Sequence, residues 1–89
     1  MTKLTNLRNA IVSGRRLILW GTGSSFEKYA DSISKYISID CVCDSDVLKQ
    51  NKIIKGFRCI APSDIECNDY VIIMAIDKNI VQEIKEHLI

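Results

Sequence analysis

The residues best suited to chemistry are Gly21-Thr22-Gly23-Ser24-Ser25, directly after the apolar run "RLILW" of residues 16–20. A glycine turn between a strand and a helix exposes backbone amides, and the missing Cβ lets an anion approach them closely. Thr22 and Ser25 would add hydroxyl donors. Ser24 is placed to cap the helix that follows, with Glu27 three residues on completing a capping box. Asp44 stands 21 residues beyond Gly23, where an acid would accept hydrogen bonds from the sugar hydroxyls of a bound nucleotide, with Ser45 beside it. Phe26 opposes this reading. It takes the place of a third glycine that would bring helix and strand together, and its ring should hold the helix away or plug the crevice. The plainer alternative is a turn in which the glycines serve geometry alone and Asp44 is an ordinary turn residue.

Other chemistries have weaker support. His87 is the single histidine, in the last turn of the last expected helix, and no serine or cysteine has an evident base partner. Asp44 and Asp46 form one D-x-D pair, a weak signal for a divalent cation. Cys41, Cys43, Cys59 and Cys67 match no paired zinc spacing. Cys41 and Cys43 share one face of an expected strand, where reduced cysteines act as small buried hydrophobes. No catalytic residue and no metal site is expected. The chain reads as a binding unit that is not catalytic on its own.

Bulk properties agree with a small soluble domain. The 89 residues are 47% hydrophobic and 26% charged, which excludes disordered and fibrous classes. A formal net charge of +1 argues against nucleic acid as a partner. The longest apolar stretch, residues 70–76, is too short to span a bilayer, and no signal peptide is evident, so a cytoplasmic location is expected.

The elements that must position the glycine turn follow from periodicity. Leu4, Leu7 and Ile11 predict a lead-in helix over 4–13, stopped by Ser13-Gly14. Residues 16–20 read as a buried strand. Phe26, Tyr29, Ala30, Ile33 and Ile37 make one helical stripe. Residues 37–43 predict a second strand, 47–56 a polar loop, and 57–61 a short third strand. A helical turn begins at Ser63 with Glu66 as its capping partner. Residues 70–76 form the clearest strand, and Asp77 caps a last helix striped by Ile80, Val81, Ile84 and Leu88. The expected fold is one α/β domain over 1–89. It has a three- to four-stranded parallel sheet with helices on both faces, a three-layer sandwich led in by residues 1–14.

The order "LILWGTGSSFEKYADSI … ISIDCVCDSD … KIIKGFRCIAPSDI … DYVIIMAIDKNIVQEIKEHL" resembles small Rossmann-like domains of bacterial surface-polysaccharide biosynthesis. Its nearest likenesses are the amino-terminal nucleotide-sugar-binding domain of sialic-acid and bacillosamine-type acetyltransferases, and the NAD(P)-binding-like domain of capsule enzymes. The resemblance implies a UDP-sugar or NAD(P) at Gly21, Thr22, Gly23 and Ser24. Asp44 and Ser45 would lie near sugar or ribose, with Ala75 and Ile76 alongside. It also implies a fused or associated transferase domain as partner. The sequence departs from that pattern at Ser24-Ser25-Phe26, where small residues are usual, and at Ile76-Asp77, which lacks a glycine. A ligand-free assembly domain is the remaining alternative.

Overall fold

The computed structural model describes residues 3–74 and Gln82. In chain order these form α1 (Lys3–Val12), β1 (Leu17–Trp20), α2 (Ser24–Tyr36), β2 (Cys41–Cys43), β3 (Ile53–Ile54), β4 (Phe57–Ile60), a 3-10 turn (Pro62–Asp64) and β5 (Tyr70–Ile73). The last expected helix, with Asp77 and His87, lies outside the described residues, as do Ala75 and Ile76. Among the described residues no helix is long and apolar enough to cross a membrane.

The fold is α/β, built on a five-stranded sheet in the order β3-β4-β2-β1-β5. β1 runs parallel to both β2 and β5, and β2 runs parallel to β4. The short β3 is antiparallel to β4, so the sheet is mixed rather than wholly parallel. This hairpin lies where a polar loop is expected. Ile54 pairs with Phe57 across Lys55-Gly56, whose φ values of 50° and 85° are those of a two-residue type I′ turn.

Two other expected boundaries shift for local reasons. β2 is confined to Cys41–Cys43, because Ile37 closes α2 by donating its amide to the Ile33 carbonyl. Asp40 then turns back to accept the Leu17 amide at 2.7 Å. The helical turn begins at Pro62 rather than Ser63. Asp64, not Glu66, closes it by accepting the Ala61 amide at 3.2 Å.

The core is divided by the alternation of strand side chains. Phe26, Ala30, Ile33 and Ile37 of the helical stripe join Leu7 and Ala10 of α1 and Leu17, Leu19, Val42, Cys59, Ile72 and Met74 on one face. Ile18, Cys41, Cys43 and Ile60 form a smaller cluster on the other, against Trp20, Val71 and Ile65. Both described α-helices therefore serve one face, and no described α-helix packs on the other.

The lower edge of the sheet is pinned where β1 meets β5. Arg16 holds the Asp69 carboxylate through Nε at 3.1 Å and its terminal nitrogen at 2.7 Å. Arg15 donates to the carbonyls of Asn68 and Asp69 and lies 5.7 Å from the Tyr70 ring. These contacts fix the register Leu17 to Tyr70 and Trp20 to Ile73, which brings the glycine turn beside Met74.

Candidate functional site

From β1 the chain moves to β2 and then β4 on one side, and returns to β5 on the other. The upper ends of β1 and β5 are thus a topological switch point, where ligands of open parallel sheets enter. Gly21 leaves β1 at φ 105°, a conformation that side-chain-bearing residues rarely adopt, and its amide donates to the Cys43 carbonyl at 2.7 Å. Met74 donates its amide to the Trp20 carbonyl at 3.0 Å. Between them opens a hollow of about 210 Å³ lined by Gly21, Gly23, Ser24, Ser25, Phe26 and Met74.

Ser24 does not cap α2. It is already the first helical residue, Gly23 is the N-cap, and no side chain caps the helix. The expected capping box with Glu27 is accordingly not formed. Phe26 neither fills the opening nor lies outside the core. Its ring is fully buried beneath α2, and the hollow above it stays open. A Cβ built on Gly23 would meet nothing within 4 Å, whereas one on Gly21 would lie 3.9 Å from the Met74 Cβ.

Asp44 reaches the turn, but as a partner of Thr22. Its Oδ2 accepts the Thr22 amide at 2.9 Å and the Thr22 hydroxyl at 2.6 Å. Its Oδ1 accepts the Asp46 amide at 2.9 Å. Burial raises the Asp44 pKa, but the Thr22 hydroxyl, the Asp46 and Thr22 amides and Lys49 outweigh it and hold the carboxyl below its ordinary value. Thr22 is only 4% exposed and its hydroxyl is committed to Asp44, so it is not placed to donate to a ligand as expected.

The sequence match decides what kind of domain this is. The model of the family described as C2185-like, N-terminal matches residues 13–89. The chain belongs to that family. The matched span of this C2185-like domain includes the glycine turn, Asp44 and every strand, while α1 precedes it. No curated protein and no solved structure matches the chain.

Three participants in the C2185-like site carry little signal in the sequence. Lys49 places its ammonium 3.4 Å from the Thr22 carbonyl and 3.8 Å from Asp44 Oδ2. Gln50 donates to the Asp44 carbonyl at 3.0 Å. Met74, just past the end of β5, closes the hollow at a position that reads only as strand core. Ser45 is exposed beside Asp44. Asp46 is used locally, its Oδ1 accepting the Leu48 amide at 3.0 Å, so Asp44 and Asp46 act as turn formers. Burial, with Cys59 and Asp44 nearby, pushes the Cys43 thiol up to about 11, leaving it protonated and weakly nucleophilic at neutral pH.

A larger cavity of about 680 Å³ lies at the opposite end of the sheet, with Arg8, Val12, Arg15, Arg16, Tyr36 and Asp40 among its lining residues. It suits an anion less well. α1 and α2 both end there, presenting the negative poles of their dipoles. The Arg15 and Arg16 guanidinium groups already serve the carbonyls of Asn68, Asp69 and Asp64 and the Asp69 carboxylate.

Proposed function

We propose that this C2185-like domain is a non-catalytic unit that binds a nucleotide or UDP-sugar by its phosphates at the start of α2. In this reading the fold is a Rossmann-like three-layer sandwich working with a transferase of surface-polysaccharide synthesis, fused or associated. The observation that carries it is the open hollow at the switch point, walled by Gly23 and the uncapped first turn of α2. Gly21 is explained by its backbone angle. Gly23 differs: its φ of −85° is not left-handed, its ψ of −147° lies outside the usual extended range, and the space about its Cα is empty, so packing makes no demand for glycine there. Close approach of a ligand to the backbone does make that demand. The hollow is smaller than the roughly 300–1,000 Å³ of pockets that enclose a drug-sized ligand. It fits a phosphate or diphosphate, with the rest of the ligand outside. The family's description as an N-terminal unit supports a partner domain.

An NAD(P) site is the second reading, favoured by the strand-glycine-helix arrangement but opposed by the engagement of Asp44 with Thr22. Titrating UDP, UDP-N-acetylhexosamine and NAD(H) against isotope-labelled protein tests both. UDP ligands should shift the amides of Gly21 to Ser25; shifts with NAD(H) alone would support the dinucleotide reading. No shift with any ligand at millimolar concentration would leave a ligand-free assembly domain. Gly23→Ala should weaken binding roughly tenfold while lowering stability by only about 1 kcal/mol, the cost of alanine at an N-cap.

A further inference from the structure

The glycine turn and Asp44 are read above as separate contributors, one for phosphate and one for sugar, but the hydrogen bonds join them. Both donors of Thr22, amide and hydroxyl, converge on the single oxygen Oδ2 of Asp44. Oδ1 takes the Asp46 amide, and the Lys49 ammonium stands 3.8 Å from Oδ2. The Asp44 side chain is only 15% exposed. A carboxylate oxygen offers about two acceptor positions, so Oδ2 is filled by Thr22 alone. Gripping the vicinal hydroxyls of a ribose with both oxygens would require releasing Thr22, a buried residue whose hydroxyl has no other acceptor among the described residues. Leaving a buried polar group unpaired is costly.

The geometry points to Asp44 as a positioning residue that sets the phosphate loop through Thr22, so that the site selects its ligand by phosphate and is indifferent to the ribose 2′-hydroxyl. This rests on the phosphate-binding reading of the hollow. Thr22 lies between Gly21 and Gly23, and its amide is turned toward the end of β2. The next residues, Gly23, Ser24 and Ser25, line the hollow. Two bonds to one carboxylate oxygen orient that peptide, and the Lys49 bond to the Thr22 carbonyl at 3.4 Å holds its other side. Gln50 anchors the Asp44 backbone in turn, donating to its carbonyl at 3.0 Å.

The test compares UDP, 2′-deoxy-UDP and inorganic pyrophosphate by calorimetry and amide shifts. Wild-type protein should bind UDP and 2′-deoxy-UDP within about twofold of one another. Asp44→Asn and Thr22→Val should each weaken all three ligands, pyrophosphate included, by roughly tenfold. The double variant should be little weaker than Asp44→Asn alone, because the one bond that Thr22→Val removes, from the hydroxyl, already ends on Asp44. Thr22→Ser, which keeps the donor, should retain wild-type affinity. Preference of the wild type for UDP over 2′-deoxy-UDP by roughly tenfold, erased by Asp44→Asn with pyrophosphate binding unchanged, would overturn the inference and leave the phosphate reading standing. Failure of the wild type to bind any of the three would remove the phosphate reading itself and this inference with it. The wild-type comparison needs no variant to fold.

Discussion

Three donors converge on the Asp69 side chain: Arg16 through two nitrogens, and the Glu66 amide at 2.8 Å. Arg16 holds its carboxyl below the ordinary value despite burial, and Asp44 is likewise low through Thr22 and Lys49 against its own burial. A carboxyl whose pKa is lower in the folded chain than in the unfolded one contributes stability above the unfolded value. That contribution is lost as pH falls through the folded value. Stability should therefore hold level from neutral pH down to about 4 and then fall. Denaturant midpoints measured from pH 7 to pH 2 should show this, and Asp69→Asn should be less stable at pH 7 with a shallower loss in acid. An equally steep acid loss in the variant would rule Asp69 out as the source. Such pairings are illegible in a sequence, since Arg16 and Asp69, or Thr22 and Asp44, meet only after the sheet assembles. Residue types at the glycine turn were legible; which carboxylate oxygen they would occupy was not.

Among the elements, α2 follows most closely from its sequence. Its apolar stripe predicts the buried face of Phe26, Ala30 and Ile33. Its start is less legible, because Gly23 and Ser24 are both acceptable N-caps and the choice between them depends on the path of the chain out of β1. β3 does not stand out in the sequence because two isoleucines among lysines and asparagine read as polar loop. The signal lay in Lys55-Gly56, a two-residue turn between apolar pairs. The vacant N-cap of α2 permits a separation of stability from function. Gly23→Asp would place a carboxylate on the first-turn amides and stabilise the helix by a few tenths of a kcal/mol, with a further ~0.3–1 kcal/mol from the dipole. The same carboxylate would occupy the ground proposed for phosphate. Thermal melts should show a slightly raised midpoint while UDP binding is lost. A stabilised variant that still binds UDP would place the phosphate elsewhere.

At the scale of the molecule, the two faces of the sheet are unequally furnished. α1 and α2 both pack on the face of Leu17, Leu19, Val42 and Ile72, and α1 precedes the span matched by the family. Yet α1 is not a loose extension of the domain, since Leu7 and Ala10 are both fully buried. Leu7 therefore gives a measure of how far the matched span depends on the helix before it. Leu7→Ala in a close-packed core should cost about 2–5 kcal/mol. A chain of this size has on the order of 4–13 kcal/mol in all. With roughly 4–8 °C of melting temperature per kcal/mol for a domain of this length, the midpoint should fall by at least ~8 °C. Val12→Ala, at a site 81% exposed on the same helix, should change it by little. Were the two variants to melt alike near the wild-type temperature, α1 would contribute nothing to the fold, and the core that supports β1 and the glycine turn would belong to the remaining elements alone.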